Sequence, residues 1–110
     1  MAAPSVDKGR VVVVAAGFAL WIGGRCAAAG RWADIARLRA LQTSAGALAV
    51  RVEMTDGTVL ELDEAAPGFD LFLDRASVVL TGLAPFKSWH PALVAAGAEG
   101  AGVVIFERRR

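Results

Sequence analysis

The sequence predicts an α+β domain: a curved antiparallel sheet of short strands with one main amphipathic helix packed on it. Three observations predict it. Residues 47–64 alternate apolar and polar side chains around Thr55-Asp56-Gly57-Thr58, the pattern of a half-buried hairpin. Further on, Phe69, Phe72, Leu73, Ala76, Leu80 and Leu83 recur at helical intervals. The order of several strands, then helix, then a closing strand belongs to a domain whose helices segregate from an antiparallel sheet.

Composition bounds the rest. The 110 residues fit a single domain, 1–110, with 1–9 and 108–110 as flexible tails. Hydrophobic residues make up 55%. However, 23 of the 61 are Ala, which leaves 38 larger side chains, an ordinary core for a small domain. High hydrophobicity with a net charge of +1 excludes disorder. The lone Cys26 excludes a disulfide scaffold or zinc finger. Charge divides along the chain: residues 1–52 carry +5, residues 53–107 carry −7, and Arg108-Arg109-Arg110 adds +3. No basic run exceeds two residues before that triplet. The reading is therefore of two halves that neutralise each other, with a solvated Arg tail and no nucleic-acid footprint.

The first element is the run Val11 to Ile22, preceded by Lys8 and Arg10. Twelve residues fall short of the roughly 20 that a membrane-spanning helix needs. A secretory signal is the rival reading, with Ala27-Ala28-Ala29 as its cleavage site. Arg25 interrupts it, and four consecutive valines favour extended chain. Val11–Ala15 is read as a buried strand of a cytoplasmic protein, Gly17 as the reversal, and Phe18–Ile22 as the partner strand. Phe18, Leu20 and Ile22 would then share one face, with Trp21 on the other. Residues 25–30 are Ala-rich and yield no assignment. Residues 32–41 fit two patterns: Trp32, Ile35, Leu38 and Leu41 recur every three, while Ala36, Leu38 and Ala40 alternate with Arg37 and Arg39. Local propensity favours helix there.

In the hairpin, parity decides the loop. A two-residue turn would set Val52 beside Glu61. A three-residue loop pairs Met54 with Thr58, Val52 with Leu60, Val50 with Leu62 and Arg51 with Glu61, which keeps one apolar face. Gly57 would then take the left-handed position of a bulged turn. Pro67-Gly68 opens the main helix, running from about Gly68 to Leu80, with Asp70 near its positive end and Gly82 as terminator. A short second helix is expected from Pro91 to Ala96, then a loop from Gly97 to Gly102 and a strand from Val103 to Glu107.

Catalytic and metal-binding patterns are sparse. His90 and Cys26 are too few for a metal cluster. Asp70 and Asp74 lie one turn apart and are read as a solvated helix face. The glycines Gly97, Gly100 and Gly102 follow a helix instead of preceding one, the wrong polarity for a phosphate loop. Ser88 and His90 flank Trp89 and would share one side of an extended segment, so a small hydrolase using Ser88 or Cys26 with His90 is carried as an alternative. Trp32 and Trp89 are expected to plug gaps in an Ala-rich core, and Trp21, on the face opposite Phe18 and Leu20, is the candidate for exposure.

Trp32-Ala33-Asp34-Ile35, the hairpin end Leu60-Glu61-Leu62-Asp63-Glu64, Pro67-Gly68-Phe69-Asp70, Gly82-Leu83 with Trp89, and Val104-Ile105-Phe106-Glu107-Arg108 occur in that order. This arrangement resembles a group of small uncharacterised bacterial proteins with a pleckstrin-homology-like domain. The resemblance spans most of residues 10–108 and implies that the Trp32–Ile35 segment is a strand, against its helical propensity. It brings no catalytic residues.

The favoured functional expectation is a non-catalytic binding or protein-interaction module without cofactor or metal. Its interaction surface would include Trp21, Arg25, Arg31, Arg37 and Arg39. Self-association as a homodimer, through a sheet edge or apolar patch, would complete a thin core. The alternatives are a peripheral membrane or anionic-lipid binding domain using Arg25, Arg31, Arg37 and Arg39, the hydrolase above, and an antitoxin-like or immunity partner.

Overall fold

The computed structural model describes residues 9–42, 47–96 and 102–108. Strands β1 (Arg10–Val14), β2 (Gly17–Ile22) and β3 (Arg25–Arg31) form a three-stranded antiparallel sheet. A 3-10 turn, Trp32–Asp34, leads into β4 (Ile35–Gln42), β5 (Leu48–Met54) and β6 (Val59–Asp63). Helices α1 (Phe69–Val79) and α2 (Phe86–Ala96) follow, and β7 (Val103–Glu107) closes a second antiparallel sheet in the order β6-β5-β4-β7.

The α+β class stands, but the expected single sheet is two sheets, and the one main helix is two helices of 11 residues each. The 3-10 turn makes the division. Trp32 N–H donates to the Ala16 carbonyl and Thr55 N–H to the Asp34 carbonyl, so the chain leaves one sheet and enters the other without continuing β3. The Trp32–Ile35 segment is thus a turn followed by strand, not strand throughout. A bulge between Ile35 and Arg37 shifts parity, which lets both Ile35 and Leu38 face the core.

The β5–β6 hairpin has the three-residue loop. Val50 faces Leu62, Val52 faces Leu60 and Arg51 faces Glu61, while Met54 N–H donates to Thr58 O at 2.8 Å. Gly57 sits at φ +92°. Asp56 Oδ1 accepts from Thr58 N–H at 2.8 Å, and bonding to the Thr58 backbone and hydroxyl holds the Asp56 carboxyl below its usual pKa. A depressed folded pKa contributes stability that is present above the unfolded value and lost as pH falls through the folded one. The stability difference between the native chain and Asp56→Asn is therefore expected to be full at pH 7. It shrinks below about pH 4, as urea titrations at both pH values would read.

Further readings are corrected or completed. The first reversal is Ala15-Ala16; Gly17 lies within β2, where a Cβ would overlap the Gly30 carbonyl. Residues 25–31, unassigned from sequence, are β3. The second helix starts at Phe86, with Pro91 inside it. Its apolar spacing Phe86–Trp89–Leu93 outweighs the one hydrogen bond that Pro91 removes. Most of the expected 97–102 loop lies outside the described residues, as do the tail residues 1–8 and 109–110. Gly9, assigned to a tail, is buried. Arg108, counted with the Arg tail, donates from its guanidinium to the carbonyls of Ile35 (2.9 Å) and Trp32 (3.1 Å).

The core joins both sheets and α1. Phe18 of β2, Trp32 and Phe72 of α1 form a ring cluster with centroids 5.1–5.4 Å apart. Ile35, Leu38, Val50, Val52 and Leu62 belong to the same core and are fully buried.

Candidate functional site

Helix α1 has three stripes. Phe69, Phe72 and Ala76 are buried in the core, and Leu71 and Val78 are exposed. Between them run Asp70, Leu73, Asp74 and Ser77, spaced i, i+3, i+4, i+7. This third stripe forms one wall of a groove of about 510 Å³. Leu83, Ala84 and Pro85 of the interhelix loop, with Phe86 and Trp89 of α2, form the other wall, while Leu48, Glu64 and Ile105 complete the lining. The loop is pinned there, since Ala84 N–H donates to Ile105 O at 2.8 Å.

Among the described residues, the lining is apolar except for Ser77 and three carboxylates, Glu64, Asp70 and Asp74, and includes no basic side chain. Glu64 is anchored, with Oε1 accepting from Leu48 N–H at 2.9 Å. Phe86 stands at the groove with half its surface exposed (51%). It is held by T-shaped contact with Trp89 at 4.9 Å and by stacking on His90 at 4.6 Å. An aromatic ring held rigid yet open is the kind of residue on which binding energy concentrates.

Sequence reasoning read Asp70 and Asp74 as a solvated helix face, and both are exposed; that they also line a groove it did not find. The same carboxylates become groove-lining once α2 is extended back to Phe86 and comes alongside. The i, i+3, i+4, i+7 stripe beside the core stripe was the available signal.

The expected surface residues are dispersed. Trp21 is 40% exposed at the β2 end of the β2–β3 turn. Arg25 and Arg31 are exposed at opposite ends of β3, roughly 20 Å apart by strand rise. Arg37 is ion-paired to Glu107 at 2.7 Å and Glu53 at 3.8 Å, and Arg39 lies opposite Arg51, which pairs with Glu61 at 3.4 Å. Arg37 and Arg39 thus belong to a cross-strand charge ladder of mixed sign on the four-stranded sheet, whereas Arg25 and Arg31 are on β3 of the other sheet. Exposed pairs of this kind contribute about 0.2–1 kcal/mol each.

The hydrolase residues do not converge. Ser88 and His90 are both on α2, and two residues of helix turn them about 200° apart. Among the described residues, His90 contacts the Phe86 and Trp89 rings and no acid. Cys26 is on β3, its thiol directed at the Ala28 carbonyl at 3.6 Å. No group of three or more His, Cys, Asp or Glu that could hold a metal occurs among the described residues, and none of their helices is long and apolar enough to cross a membrane.

No family model, no curated protein and no solved structure gives a significant match to the chain.

Proposed function

We propose that the protein is a non-catalytic interaction module that takes a segment of a partner protein into the α1–α2 groove. The segment carries arginine or lysine next to apolar side chains. The observation that carries this is the lining: an apolar trough edged by Glu64, Asp70 and Asp74, without a basic residue among the described ones. Apolar walls supply the area that leaves water, and the carboxylates select cationic side chains and reject acidic ones. Pre-formed walls limit the ordering cost of binding. At the level of fold, the pairing of a three-stranded with a four-stranded antiparallel sheet around one core supports the pleckstrin-homology-like reading.

Fluorescence anisotropy with a labelled peptide of alternating arginine and leucine tests the groove, with a glutamate–leucine peptide as control. Saturable binding of the basic peptide alone is expected. Removing two surface charges in Asp70→Asn/Asp74→Asn is expected to weaken it about tenfold, and Phe86→Ala by a similar factor. Equal binding of both peptides, or an unchanged affinity in both variants, overturns the reading.

A further inference from the structure

A second surface feature, basic where the groove is acidic, lies at the β2–β3 turn. Trp21 and Ile22 are consecutive, 40% and 42% exposed, and they point to opposite faces of the strand. Each has an arginine directly across from it on a neighbouring strand: Arg10 opposite Trp21 and Arg25 opposite Ile22. Residues directly opposite share a face, so each face of this end presents one large apolar side chain beside one cation. Both arginines are exposed, and among the described residues neither has a carboxylate partner. Beyond them, Gly23-Gly24 turns the chain, and a Cβ built at either glycine meets nothing within 4 Å. A shallow depression floored by Gly9 and Val12 lies between Arg10 and Trp21.

From this geometry we infer that the β2–β3 tip is a membrane-docking wedge for an anionic lipid bilayer. Two partly exposed side chains are far too little for a stable protein interface, which buries about 800 Å² per partner. A bilayer makes no such demand. Tryptophan partitions to the headgroup level, an adjacent isoleucine adds apolar depth, and flanking guanidiniums bind lipid phosphates in a bidentate manner. The surface is distinct from the acidic groove, so the two sites are separable by mutation.

The test uses the full chain with vesicles of phosphatidylcholine containing about 30% phosphatidylserine, and with pure phosphatidylcholine. Flotation with the anionic vesicles alone is expected. Brominated lipids are expected to quench one tryptophan, because Trp32 and Trp89 are each only 4% exposed. Trp21→Ala abolishes that quenching. Arg10→Gln and Arg25→Gln each lower partitioning about fivefold, whereas Asp70→Asn/Asp74→Asn does not lower it. Absence of flotation, or flotation and quenching unchanged in Trp21→Ala, overturns the inference. So does concentration-dependent dimerisation that is lost in Trp21→Ala without any lipid effect, which would assign the tip to a second copy.

Discussion

Replacing Trp32 with alanine is expected to destabilise the fold by about 4 kcal/mol, lowering the melting temperature by roughly 15–20 °C for a chain of this size. Trp32 is 4% exposed, and its ring contacts Phe18 from one sheet and Phe72 from α1. Its indole N–H reaches the Val14 carbonyl at 3.4 Å. Truncation would therefore open a cavity between the three-stranded sheet and α1, among the Phe18 and Phe72 rings. Small domains have about 5–15 kcal/mol of stability in total, so a loss of this size is a large fraction of it. Trp32→Phe keeps a ring in the cluster and is expected to lose under half as much. Equilibrium urea unfolding of the two variants gives the comparison. A Trp32→Ala protein within 1 kcal/mol of the native chain would show that the junction is not held by this cluster.

Gly68→Ala is expected to cost about 3 kcal/mol, against about 1 kcal/mol for Gly82→Ala. Both glycines adopt positive φ, +90° and +91°, so both substitutions bear the strain of the left-handed region. They differ in surroundings. A Cβ at Gly68 would overlap the Val11 carbonyl, whereas one at Gly82 meets nothing within 4 Å. Gly68 is also the point where α1 starts beside β1, with Val11 N–H donating to Pro67 O at 2.7 Å. Relieving the overlap requires pulling helix and strand apart. Thermal melts of the two single variants separate the steric part from the conformational part. Equal losses would mean that β1 yields without resistance.

The elements that sequence made legible are those in which one periodicity holds over a whole segment. In residues 47–64, Val50, Val52, Leu60 and Leu62 must share a face, and only one loop length allows it. In α1, Phe69, Phe72 and Ala76 fix the buried stripe. Legibility failed where a local irregularity changes parity or where residues have little preference. The bulge near Ala36 and the turn at Trp32–Asp34 hide the boundary between the sheets, because each resets the alternation that would announce it. The β3 strand has alanine at its centre and a glycine beside it, residues depleted in strands, and its place follows from pairing with β2. Pro91 suggested a helix start, and the helix ran through it instead. The groove was illegible for a different reason: Asp70 and Asp74 gain their neighbours from α2 and Glu64, segments whose proximity no spacing within α1 encodes. At the tip, Trp21 was singled out by its face. Arg10 was not, since its position across from Trp21 depends on the register of β1.

The position of β7 has a kinetic consequence. Strand β4 ends at Gln42 and its second neighbour begins at Val103, and the contact of Arg37 with Glu107 spans 70 residues. Hairpins β1–β2 and β5–β6 close over short loops and are available within microseconds. The four-stranded sheet gains its fourth strand only after a long loop has closed, a search whose entropic cost precedes any of its contacts. On a ribosome, β4 would present an unpaired edge carrying Leu38 and Ala40 until nearly the last of these residues has emerged. The guanidinium of Arg108, bonding back to Trp32 and Ile35, adds to the contacts that hold β7 once it has docked.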